Sequence, residues 1–166
     1  KTNNMSVFYK GFELKNVTLK MLYEVFEDAF NAQTQLATIS FGDIFEVDLN
    51  KNEKYPIMHV STETASYDTG NLTYTFQIIC MDLVSKDESN EHDVLSDQLE
   101  IIGDVISNIR HSALNTDVTD FRNTIRLQDS ISCEPFTERF DNEVTGWTAS
   151  LTIEVEFNAS ACVGSV

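Results

Sequence analysis

A chain of 166 residues has the length of one domain, and with 42% hydrophobic residues and 10% aromatics it has enough apolar surface for a core, which excludes global disorder. Twenty-seven acidic residues against eleven basic ones give a net charge of -16. That balance excludes the ordinary electrostatic mode of nucleic-acid binding, though not the passage of nucleic acid beside a surface that repels it.

The first predicted element is an amphipathic helix from about Thr18 to Gln33. Thr18 is its N-cap, and Leu19, Leu22, Val25, Phe26, Ala29 and Phe30 fall on one stripe opposite Lys20, Glu24, Glu27 and Asp28. Asp48 to Lys54 is polar and reads as a loop. Tyr55 to Glu63 reads as a strand with Met58 and Val60 on one side, Pro56 suiting its start. Thr69-Gly70-Asn71 is a turn signal. It leads into a strand from Leu72 to Val84, in which Leu72, Tyr74, Phe76, Ile78 and Cys80 alternate with polar residues. From Ile79 onward both faces are apolar, which predicts a strand end covered on two sides. The two strands form a hairpin.

Ser89-Asn90 opens a long helix from about Glu91 to Leu114. Leu95, Leu99, Ile102, Ile106, Ile109 and Ala113 step along it by four and three, with Val94, Ile101 and Val105 widening the stripe. A stripe this broad packs flat on a sheet. Thr116 to Gln128 is a loop or short strand, and Ile131 to Phe140 a strand interrupted by a bulge or bend at Pro135. After a turn at Asp141-Asn142, Trp147, Ala149, Leu151, Ile153, Val155 and Phe157 alternate with polar residues, as in a half-buried antiparallel strand. Asn158 to Val166 is small and polar, a flexible tail. The order predicts an α+β fold in one domain, an antiparallel sheet carrying both helices on one face. Its N-terminal helical part covers residues 1–54 and its core about 55–158.

Chemistry-bearing motifs are scarce. Cys80, Cys133 and Cys162 are odd in number and form no CxxC pair, which argues for buried or incidental thiols in a reducing compartment. No apolar run is long enough to span a bilayer, and the opening Lys-Thr-Asn-Asn is no signal-peptide core, so a cytoplasmic site of synthesis is expected. His59, His92 and His111 lack metal or triad spacing and are expected at the surface. Asp48-x-Asn50-x-Asn52 opens like a calcium loop but lacks the glycine and closing Glu, and the Asp87, Ser89, Glu91, Asp93 series fails likewise. No glycine-rich phosphate loop is present. No cofactor and no metal are expected.

Two charge patterns remain. Asp93, Asp97, Glu100 and Asp104 form one row along the long helix, read either as a solvated face or as a repulsive wall toward a polyanion. Glu154 and Glu156 project from the last strand with no basic neighbour in sequence, facing solvent or a basic partner. Phe121, Phe136, Phe140 and Trp147 gather around a turn-rich segment as core caps or partner contacts.

Two stretches carry a resemblance: YTFQIICMDLVSKDESNEHDVLSDQLEIIGDVISNI, from Tyr74 to Ile109, and CEPFTERFDNEVTGWTASLTIEVEF, from Cys133 to Phe157. An apolar strand ending in Met-Asp, an acidic connector with Asn-Glu, a helix opening Val-Leu-Ser-Asp and a final Gly-Trp-x-Ala strand together resemble the tail-terminator and tail-completion proteins of tailed bacteriophages. The resemblance implies a non-enzymatic virion structural protein, a subunit of a homo-oligomeric ring, by analogy a hexamer. Such a ring caps the tail tube and joins it to the neck or connector proteins, DNA passing through without sequence-specific binding. The implied location is the virion tail, after assembly in the host bacterial cytoplasm. On this reading Asp93, Asp97, Glu100 and Asp104 are candidate channel lining. Cys133, Pro135, Phe136, Phe140, Trp147, Glu154 and Glu156 are candidate subunit or partner contacts, with the first helix or the Asp48 to Lys54 loop supplying the other surface. The alternatives are another head–tail connector component, a host adaptor domain that binds a basic protein, and a small enzyme using carboxylates near Asp93 as acid and base.

Overall fold

The computed structural model describes residues 7–9, 12–14, 17–43, 54–111, 125–139 and 143–157. Among them the fold is α+β, with two helices and a mixed six-stranded sheet. Helix α1 spans Leu19–Asn31 and starts where expected. Thr18 Oγ1 accepts from the Met21 amide at 3.4 Å, while the Thr18 amide reaches Met21 Sδ at 3.1 Å, so a sulfur takes the reciprocal position of a capping box. Leu22, Val25, Phe26 and Ala29 are buried at successive helical spacings.

The strands of the sheet are β3 (Thr38–Phe41), β4 (Ile57–Asp68), β5 (Asn71–Leu83), β6 (Ile125–Leu127), β7 (Cys133–Arg139) and β8 (Glu143–Glu156). They lie in the order β3-β4-β5-β8, with β6 and β7 end to end along the far side of β8. The predicted hairpin forms, β4 and β5 turning at Thr69-Gly70, where Gly70 takes φ +83, a conformation that favours glycine. β4 runs beyond the predicted Glu63 to Asp68 and carries a bulge between Thr62 and Thr64. The sheet departs from pure antiparallel pairing in one place: β3 runs parallel to β4, from Thr38 opposite Ile57 to Phe41 opposite Val60. A separate two-stranded sheet, β1 (Val7–Tyr9) with β2 (Phe12–Leu14), precedes α1. Three-residue strands are too short to leave a readable alternation.

Helix α2 spans Glu91–His111 and packs with α1 on one face of β5 and β8. Met58 and Val60 of β4, the even-numbered residues of β5 from Leu72 to Cys80, and Ala149, Leu151, Ile153 and Val155 of β8 meet it there. On the opposite face, among the described residues, Ile57, Ile79, Met81 and Val144 at one end pack with Tyr55 and Phe136. This accounts for the double apolar pattern beyond Ile79.

Three expectations are corrected. Pro135 makes no bulge: β7 pairs with β8 without a break from Cys133–Ala149 to Arg139–Glu143, and the interruption falls at 128–132, between β6 and β7. A strand paired on one side tolerates proline when its missing N–H points away from the ladder. Arg110 of α2 spans the interruption, donating through Nη2 to the Gln128 and Asp129 carbonyls at 3.0 and 2.8 Å. The α2 stripe is centred differently. Val94, Gln98, Ile101, Ile102, Val105 and Ile109 are buried, whereas Leu99 is 41% exposed. His59 is buried, 1% exposed, while His92 and His111 lie at the surface as expected. The Asp48 to Lys54 loop apart from Lys54, Phe140 and the turn at Asp141-Asn142, Phe121, Ala113, Leu114, Cys162 and the tail lie outside the described residues.

Candidate functional site

Asp93, Asp97, Glu100 and Asp104 are all exposed. Each immediately precedes one of the buried positions 94, 98, 101 and 105, so the row lies about 100° around the helix from the buried row and runs along its flank. Asp93 falls in the first turn, where the helix dipole favours negative charge. These carboxylates stand on the helix surface. The row extends to the end of β5, where the half-buried Asp82 is pushed above the usual carboxylate range by desolvation, with the negative charge of Asp97 adding to it.

The connector before α2 is built by short polar side chains. Asn90 Oδ1 accepts from both the Ser85 amide and its hydroxyl at 2.7 Å. The Asp87 carboxyl accepts from Ser89 Oγ at 2.8 Å, and hydrogen bonds from Ser85 and Ser89 hold it below the usual carboxylate range. The serines and acids of this stretch therefore fold the connector back on itself, the role that the failed calcium pattern left open. Among the described residues no cluster of His, Cys, Asp and Glu could hold a metal ion.

The expected interface group does not form one patch. Cys133 and Pro135 stand opposite Ala149 and Trp147, on the helix side of the sheet, whereas Phe136 stands opposite Gly146 and packs under the other face. Trp147 is an internal fastening: its Nε1 donates to the Leu95 carbonyl of α2 at 2.7 Å. Glu154 has a basic neighbour that sequence distance conceals, because Arg126 of β6 pairs with it across the ladder and reaches it at 3.7 Å. Glu156 is exposed at the end of β8. Cys80 is buried, its thiol pushed up to about 12 by desolvation, and Cys133 is half-buried and raised for the same reason.

A polar pair missed by spacing arguments lies between the parallel strands. Ser40 and His59 are register partners, with Ser40 Oγ 2.8 Å from His59 Nδ1. His59 Nε2 is buried with no hydrogen-bond partner. Burial lowers the imidazole's pKa, against opposing contributions from the Gly42 backbone and the Asp43 charge. A hydroxyl beside a neutral imidazole has the elements of a nucleophile and its base. At 1% exposure, however, the imidazole is closed to any substrate.

Two sheet features stand out for assembly. β3 covers only Ile57–Val60 of β4, and beyond Ser61 that strand is exposed on both faces as far as Asp68, with Tyr67 68% exposed and packed edge-on against Phe157. The β1–β2 hairpin, among the described residues, pairs with neither edge of the main sheet. Among the described residues no helix is long and apolar enough to cross a membrane. Comparison of the chain with protein-family models finds no match, and neither does comparison with curated proteins.

Proposed function

We propose that this chain is a non-enzymatic virion subunit of the tail-terminator or tail-completion type, one of a homo-oligomeric ring that caps a tail tube and joins it to the neck while DNA passes through. The observation that carries the reading is the open acidic flank of α2: four exposed carboxylates in a row along the helix. Such a face repels a polyanion that slides past it and gives phosphates nothing to adhere to. The segments bearing the resemblance support it by their position. Met81-Asp82 lies near the end of β5, Asn90-Glu91 opens α2, and Gly146-Trp147-x-Ala149 lies in β8, so all three belong to one strand–helix–strand unit.

A closed ring requires each subunit to present two different surfaces. Native mass spectrometry of the purified chain, alone and with its tube protein, tests the proposal. A closed oligomer in either condition is expected. A chain that stays monomeric in both overturns it.

A further inference from the structure

The first 16 residues differ from the rest of the chain in charge. They hold Lys1, Lys10 and Lys15 against Glu13, a net of +2 in a chain of net -16, so the remainder stands at -18. The same segment contains the hairpin whose strands, among the described residues, pair with each other alone. A two-stranded hairpin by itself is marginal in water, and by sequence Val7, Phe8, Tyr9, Phe12 and Leu14 make this one apolar.

The chain also carries a complementary surface. Between Lys54 and Lys86 there is no Lys or Arg, while Glu63, Asp68 and Asp82 supply negative charge. Within that stretch β4 continues past the end of β3, and its bulge between Thr62 and Thr64 leaves Thr64–Asp68 as the regular part of the edge. Five residues of strand extend about 17 Å, and a three-residue strand about 10 Å, so one strand of the hairpin fits within it. A bulge at the start of an open edge also limits indiscriminate pairing and restricts the register.

We infer that the β1–β2 hairpin of one copy, carried by the basic segment 1–16, adds to the β4 edge at Thr64–Asp68 of a second copy. The docking is β-strand addition: backbone hydrogen bonds supply affinity, and the charge difference selects the orientation. Donor and acceptor are different parts of the chain, so the contact is head-to-tail, and repeated around an axis it closes a ring. The inference rests on the ring reading and names the two surfaces that reading requires.

Disulfide trapping in full-length chains tests it, with Cys133→Ser and Cys162→Ser as the background. One chain carries Val7→Cys and the other Ser66→Cys, and circular dichroism checks that both fold. Mild oxidation of the mixture is expected to give a covalent dimer that neither chain gives alone. In the otherwise unmodified protein, Lys10→Glu with Lys15→Glu is expected to weaken assembly at least tenfold at low salt, and less as salt screens the contact. An oligomer of unchanged mass that yields no trapped dimer overturns the hairpin contact and leaves the ring standing. Trapping within one chain, when both cysteines are placed on it, overturns the exchange between copies. A chain that is monomeric with and without tube protein removes both.

Discussion

Gly146 of β8 lies opposite Met81 of β5, where the two backbones approach so closely that a Cβ has no room. An added methyl group would overlap the Cys80 carbonyl oxygen and stand 2.9 Å from both the Cys80 carbonyl carbon and Met81 Cα. All three atoms belong to the backbone, so no side chain can rotate away. Cys80 is also fixed from both sides, by Met58 on β4 and Trp147 on β8, its register partners. Gly146→Ala therefore has to open the β5–β8 ladder locally. Overpacking costs about 1–3 kcal/mol, and each ladder hydrogen bond stretched beyond use costs about 1 kcal/mol more. A loss of ~3 kcal/mol is expected, equivalent to a fall in Tm of about 6–12 °C for a chain of this size. Gly103 is the internal control. It lies in exposed helix with nothing within 4 Å of an added Cβ, so Gly103→Ala is expected to stabilise by about 1 kcal/mol. Urea unfolding followed by far-ultraviolet circular dichroism, at one fixed protein concentration, measures both. Stability within about 0.5 kcal/mol of the parent for Gly146→Ala would refute the close-approach argument.

The remaining predictions concern buried polar groups. His59 titrates below its ordinary value near 6.5 when folded, so below that pH the unfolded chain takes up the proton first and stability falls toward the lowered folded value. The urea midpoint of the parent minus that of His59→Asn should therefore shrink between pH 7.5 and 5.5, and a pH-independent difference would contradict the sealed imidazole. Gln98 is 1% exposed and its Oε1 has no hydrogen-bond partner, so Gln98→Met should stabilise by about 1 kcal/mol in the same unfolding assay. Cys80, with its thiol near 12 and fully buried, should react with a thiol reagent at pH 8 only as fast as the chain opens. In a Cys162→Ser background, mass spectrometry should find Cys133 labelled first, and prompt labelling of Cys80 would contradict its burial.

The sequence pattern was most legible where a period persists. The alternation through β5 and β8 located both central strands, and the change to a doubly apolar pattern at Ile79 correctly indicated a second covering layer. On α2 the same reasoning misplaced the centre of the stripe. Leu99 is apolar yet exposed and Gln98 is polar yet buried, because the packing of the whole helix outweighs one residue's preference. The acidic row, read from spacing as lying beside the apolar stripe, does run along the flank of the buried row. Spacing rules could find neither the Ser40–His59 pair nor Arg126–Glu154, since each joins residues that only strand register brings together.

The sequence alone determined both helices, the central hairpin, the last strand and the acidic surplus, since each is a matter of local period or of counting, whereas β1, β2 and β3 left no readable pattern. Only the tertiary structure decided which histidine is buried, that Trp147 fastens β8 to α2, and that β4 outruns β3 and leaves an edge. Those facts depend on where strands far apart in the chain begin and end against one another. Register is a property of pairs, and no single stretch of sequence contains it.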